Sequence, residues 1–184
     1  MERPERKQPR LPEYDYSAPG ANFVTICTQD RRCILSDISV GTGVPDGPRK
    51  SGDAPSLPVG AGVLDGPQVH LTEIGQTVDE TIRGIDEQYD YLSVDKYVIM
   101  PNHIHLLITI SEGGPSRTPA PTNAVIPRLV STLKRFSNRR SGEQLWQRSY
   151  YEHVIRNEAD YREVWAYIDG NPGKWTEDDY FADS

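Results

Sequence analysis

Residues 91–99 and 103–110 are two runs of strand-prone residues, YLSVDKYVI and HIHLLITI, and only Met100, Pro101 and Asn102 stand between them. β-Branched and aromatic side chains favour extended backbone, whereas Pro-Asn is turn chemistry, because proline fixes φ and asparagine bonds locally to its own backbone. The two runs are therefore expected to fold back on each other as a hairpin. Strands joined by so short a connection run antiparallel, so the rest of the chain has to be arranged around an antiparallel sheet.

Residues 22–28 (NFVTICT) alternate in the manner of an earlier strand that ends near Gln29 or Asp30, after a polar N-terminal arm. From 36 to 68 the chain is crowded with Gly, Pro, Ser and Asp (GTGVPDGPRKSGDAPSLPVGAG). Such a composition buries too little apolar surface to offset its ordering entropy, and a flexible insertion is expected. Thr72 suits a helix N-cap, and Ile74, Val78, Ile82 and Ile85 recur at helical spacing to about Gln88. Residues 112–122 read as loop. A second helix is predicted over about 123–139 from Ile126, Leu129, Val130, Leu133 and Phe136, with basic residues on its other face. A further strand fits 145–155. Asn157, followed by Glu158 and Asp160, opens a last helix that ends near Gly170-Asn171-Pro172.

The order strand, helix, strand, strand, helix, strand, helix predicts an α+β fold: a ferredoxin-like, RRM-like antiparallel sheet flanked by helices, with an extra C-terminal helix. A length of 184 residues suits a single domain over 1–184 that carries the insertion. No apolar run approaches the roughly 20 residues of a membrane span, and the start MERPERKQPR lacks a signal-peptide core, so no membrane association and a cytoplasmic location are expected. Cys27 and Cys33 fit no C-x-x-C pattern and are read as reduced thiols.

The net charge of −7 argues at first against a polyanionic partner. Between Thr122 and Arg156, however, Arg128, Lys134, Arg135, Arg139, Arg140, Arg148 and Arg156 face only Glu143 and Glu152, a local net of +5. A polyanion is expected along that stretch, with the acidic tail beyond Asn157 turned away from it or regulating access. A solvated helix face explains the same charges.

His103-Ile104-His105 lies inside a predicted strand, where side chains alternate, so both imidazoles leave the same face and together offer two ligands to one cation. Two donors leave positions open, as a catalytic rather than a structural metal site requires. Tyr167 and Asn171 are four residues apart on the last helix and share a face, so a phenol and an amide oxygen point the same way.

The strings DYSAPGANFVTICTQDRRCIL, YVIMPNHIHLLI, STLKRF, LWQRSYYEHVIR and YIDGNPGKW, in that order, resemble the REP-associated tyrosine transposases, which are single-tyrosine HUH endonucleases of the IS200-like superfamily. The resemblance implies His103, His105 and Asn171 as ligands of a divalent metal ion, Mg2+ or Mn2+, and Tyr167 as nucleophile. It also implies a single-stranded DNA partner with a hairpin or palindromic repeat, cleaved and rejoined through a 5′ phosphotyrosine. Lys134 and Arg135 are expected as phosphate contacts, and Arg148, His153 and Arg156 as further DNA-holding residues. The chain departs from the pattern in its long insertion and in Asn171, where related transposases carry glutamine. No G-x-x-x-x-G-K-[ST] loop is present, as expected of a reaction that retains bond energy in the adduct and needs no ATP. Two rivals share these residues: a DNA-binding protein of the same fold that does not cut, and a metal-dependent nuclease that uses water and keeps Tyr167 in the core. Monomer and homodimer both remain open.

Overall fold

The computed structural model describes residues 19–39, 66–111, 125–178 and 180–181. Strand β1 (Gly20–Cys27), helix α1 (Glu73–Gln88), strands β4 (Leu92–Ile99) and β5 (His103–Ile110), helix α2 (Val125–Ser141), strand β6 (Tyr151–Val154) and helix α3 (Glu158–Gly170) follow one another in the predicted order. Two short strands, β2 (Ser36–Ser39) and β3 (Gln68–Leu71), are additional. The main sheet is antiparallel with strand order β4-β5-β1-β6. The chain thus has the α+β architecture expected for it.

Alternation divides the sheet into two faces. Val24, Ile26, Ile104, Leu106 and Ile108 pack against Val78, Ile82 and Ile85 of α1 and Ile126, Leu129, Val130 and Leu133 of α2. Phe23 and Leu107 point the other way and pack against Val164 and Ile168 of α3. Strand β5 is buried on both sides as a result, which accounts for its nearly continuous apolar sequence. Among the described residues no helix is long and apolar enough to cross a membrane.

Helix ends follow the local chemistry. Thr72 Oγ1 accepts from the Gly75 amide at 3.0 Å, and Asn157 Oδ1 accepts from the Asp160 amide at 2.9 Å. Phe136 departs from its expected place in the apolar stripe and is 37% exposed. Ser137 faces inward instead, because its hydroxyl accepts from the indole Nε1 of buried Trp146 at 2.7 Å and donates to the Leu133 carbonyl.

Two boundaries differ from expectation. The proposed insertion starts later than residue 36, since Ser36–Ser39 pairs with Gln68–Leu71 as a two-stranded sheet. The remainder of it, 40–65, lies outside the described residues, as do the N-terminal arm and the loop at 112–122. The strand expected over 145–155 is broken: Trp146 makes an isolated bridge to Thr28, and regular pairing resumes only at Tyr151. Between them the Lys134 ammonium takes the carbonyls of Gln147, Arg148 and Ser149, which turns those acceptors from a ladder toward a side chain.

Gly75 sets how closely α1 approaches the sheet connection, because a Cβ built there would stand 1.9 Å from the Leu35 carbonyl oxygen. Gly84, on the same helix, has nothing within 4 Å of such an atom. Gly75→Ala is expected to lower stability by about 1–3 kcal/mol through overpacking. Gly84→Ala is expected to raise it by up to about 1 kcal/mol through helix propensity. Urea unfolding of the two variants measures both, and a stabilised Gly75→Ala would contradict the close contact.

Candidate active site

The register Thr25↔His105 and Cys27↔His103 puts both imidazoles on the sheet face that also carries Phe23. Both are fully buried, and their Nε2 atoms lie 3.0 Å apart. Asn102 fixes the first ring. Its amide nitrogen donates to the Tyr180 carbonyl at 2.7 Å and to the Arg31 carbonyl at 3.4 Å, which leaves Oδ1 to accept from His103 Nδ1 at 2.9 Å. An amide oxygen only accepts, so the His103 proton sits on Nδ1 and the Nε2 lone pair turns toward His105. Thr25 Oγ1 lies 2.8 Å from His105 Nδ1 and can hold the second ring in the same tautomer. Two lone pairs would then face one another, an arrangement satisfied by a cation between them, and hydrogen bonds behind ligating imidazoles are how such rings are oriented.

An oxygen donor completes the cluster. The ligand atoms of His103, His105 and Asp178 all lie within 4.8 Å of one another, so the set of two nitrogens and one carboxylate suits a divalent ion. Asp178 is held by the Asn171 amide nitrogen at 3.0 Å and by the Tyr180 backbone amide at 2.7 Å. Asn171, expected as the oxygen ligand, thus stands behind the carboxylate. Its Oδ1 is buried with no hydrogen-bond partner.

Tyr167 projects from α3 with 45% of its surface exposed and its hydroxyl 3.5 Å from His105 Nε2. Its ring meets Phe23 edge-on at 5.9 Å, and Phe23 in turn stacks on His105 at 5.1 Å. The helix is anchored on several sides. Asp160 accepts from His153 of β6 at 3.0 Å, Tyr161 donates to Asp95 of β4 at 3.0 Å, and Lys96 pairs with Asp169. Beside Tyr167 and Asn171 opens a pocket of about 240 Å3 bordered by Lys174, Glu177 and Asp178.

Burial holds both imidazoles neutral. It lowers the His103 pKa to about 4, with Asp178 pulling the other way and Arg31 adding to the depression. It also pushes His105 well below the usual value, and His103 contributes to that second shift. Neutral imidazole is the form that binds metal.

The residues expected to hold DNA are scattered. Lys134 and Arg135 are on α2, which packs on the opposite sheet face. Lys134 spends its ammonium on three carbonyls, and burial lowers its pKa to about 8. Arg135 lies over the Phe136 ring, 5.2 Å from its centroid. Arg148 and Arg156 are exposed on either side of β6, and His153 lies on β6 itself, paired with Asp160. Asp178 is not distinguished in the sequence, where it is one acidic residue among several in TEDDY, in a tail expected to turn away from the polyanion or to regulate access to it. Thr25 carries no role in the sequence reading, and Asn102 has only its place in the turn, although it adjoins the histidines.

Comparison with known proteins adds to this geometry. The profile of the family described as "Transposase IS200 like" matches residues 67–171. An uncharacterized protein of Haemophilus influenzae is 27% identical over 97% of this chain and 94% of its own. The REP-associated tyrosine transposase of Escherichia coli is 31% identical over 44% of each chain. Among solved structures, a REP-associated tyrosine transposase bound to a REP hairpin superposes with a TM-score of 0.53 at 20% identity, covering 84% of this chain and 67% of that one.

The depressed imidazoles make a pH prediction for the metal-free protein. Unfolded histidines protonate near pH 6.5, at roughly the ordinary value, whereas folded His103 protonates only near 4. Between those values the unfolded chain binds more protons, so the stabilisation is complete above about pH 6.5 and is lost as pH falls toward 4. Urea midpoints across this window should fall on acidification, and the slope should flatten when both histidines are replaced by asparagine. An unchanged slope in that variant would rule the histidines out as its source.

Proposed function

The chain belongs to the IS200-like transposase family, and from that premise we propose that it is a metal-dependent single-stranded DNA endonuclease and strand transferase with Tyr167 as its nucleophile. The observation that carries this reading is half-exposed Tyr167, whose hydroxyl lies 3.5 Å from the Nε2 of His105, beside the only His-and-carboxylate cluster of its kind among the described residues. A tyrosine kept for packing would be buried, whereas Tyr167 rests its ring edge-on against Phe23 and keeps 45% of its surface exposed.

His103, His105 and Asp178 would hold the ion, Mg2+ or Mn2+, with Asn171 placed to orient Asp178 or to exchange with it. When bound, the ion supplies Lewis-acid neutralisation of phosphate charge. The phenolic oxygen of Tyr167 attacks phosphorus as its proton passes to solvent, the bond to the 3′ oxygen breaks, and that oxygen leaves as a hydroxyl after taking up a proton. The 5′ end stays on Tyr167, and a second 3′ hydroxyl can reverse the step. Phe23 and the anchors of α3 hold the ring in position for attack. A hairpin-bearing single strand is the substrate proposed, in line with the relative solved with a REP hairpin.

A denaturing gel tests the chemistry. Wild type with Mn2+ should give a covalent protein–DNA adduct on hairpin-bearing strands, and EDTA or Tyr167→Phe should abolish it, while Tyr167→Phe still binds. Persistence of cleavage in Tyr167→Phe would indicate water as the nucleophile, and absence of any adduct from wild type would leave only binding.

Asn102 offers a separate check, because it holds His103 from behind at 2.9 Å. Asn102→Ala is expected to weaken Mn2+ binding roughly 10- to 100-fold in a calorimetric titration, the usual effect of losing such a partner. Undiminished affinity would show that Asn102 does not orient His103 for metal binding.

A further inference from the structure

Tyr151 is the most exposed large hydrophobic side chain among the described residues, at 52%, and it stands in the same sheet row as the imidazoles. It pairs with Thr25, and Thr25 pairs with His105 and approaches its Nδ1. Residues directly opposite on neighbouring strands share a face. The Tyr151 ring also meets Phe23 edge-on at 6.4 Å, so Tyr151 and Tyr167 lean on the same buried ring from two sides. Helix α3 covers the Phe23 and Leu107 end of this face with Val164 and Ile168, and Tyr151 remains outside that cover.

An exposed aromatic on an edge strand invites association, and among the described residues about half of the Tyr151 surface is left uncovered. The segment leading to it is nevertheless held firmly. The Lys134 ammonium binds the carbonyls of Gln147, Arg148 and Ser149, and the Gln147 amide donates to the Cys27 carbonyl. That fixed segment carries exposed Arg148, and Arg156 is exposed just beyond the strand. A ring on a braced strand, with an exposed arginine before it and another after it in the chain and the proposed nucleophile nearby, fits an unpaired base whose backbone is held by the arginines.

Building on the endonuclease reading above, we propose that Tyr151 is the stacking platform for an unpaired base adjoining the scissile phosphate. Stacking positions the strand across the sheet edge while Tyr167 meets the phosphate. Every base has a π face, so the platform contributes affinity and register rather than sequence choice.

The test uses hairpin oligonucleotides with single-stranded flanks that carry 2-aminopurine at successive flank positions, in a Tyr167→Phe background so that strands remain uncut. One position should show quenched fluorescence on binding. Tyr151→Ala should abolish that quench and weaken binding roughly tenfold, Tyr151→Trp should keep both, and the melting temperature should be unchanged because the ring is exposed. Unaltered quenching and affinity in Tyr151→Ala would overturn the proposal, as would full retention in Tyr151→Leu, which supplies apolar contact without stacking. The outcomes separate from those of the parent reading. Quenching that depends on Tyr151 without any adduct from the Tyr167 protein would sustain the platform and remove the cleavage chemistry, whereas an adduct with no dependence on Tyr151 would do the reverse. No binding of any hairpin strand would overturn both.

Discussion

The eight-residue antiparallel pairing of β1 with β5, from Gly20↔Ile110 to Cys27↔His103, is the interaction on which the candidate site rests. Because strand side chains alternate, this register decides at once which residues enter the two-helix core and which line the opposite face. Val24, Ile26, Ile104 and Ile108 go to the first; Phe23, Thr25, His103, His105 and Leu107 go to the second. The apolar commitment of the first set is what obliges two histidines to be buried side by side. Desolvation then keeps them neutral, and neutrality is what a metal ligand needs. Packing, protonation state and ligand chemistry are therefore consequences of one strand register.

The site is completed by elements that come late in the chain and reach the sheet from different directions. Helix α3 is tied to both sheet edges, through Asp160 to His153 on one side and through Tyr161 and Asp169 to β4 on the other. The segment after it returns over the imidazoles, where the Tyr180 ring lies 4.7 Å from His103 and its carbonyl accepts from Asn102. The hydroxyl of Tyr167 thus stands where a rigid sheet, an anchored helix and the following segment converge.

What could be read from the residues was whatever is local. The Pro101-Asn102 turn, the caps at Thr72 and Asn157, the helical stripes and the shared face of His103 and His105 are all set by neighbours a few positions apart. Contacts made across the fold were not legible. Asp178 is indistinguishable in sequence from the acids around it and becomes notable only through Asn171 and the Tyr180 amide. Lys134 looked like a surface cation and is a clamp on three carbonyls. The burial of Ser137 in place of Phe136 depends on an indole nine residues further on. The strands β2 and β3 were hidden because each is too short to signal without the other.

The chain leaves the small sheet at Ser39 and re-enters it directly opposite, at Gln68. Since both ends of that excursion are already adjacent, the entropy of closing a connection between them grows only with the logarithm of its length. A single codon gained inside β5 would instead exchange Ile104 for the imidazoles along the strand. Length polymorphism in this lineage should therefore accumulate in the excursion and be purged from the hairpin.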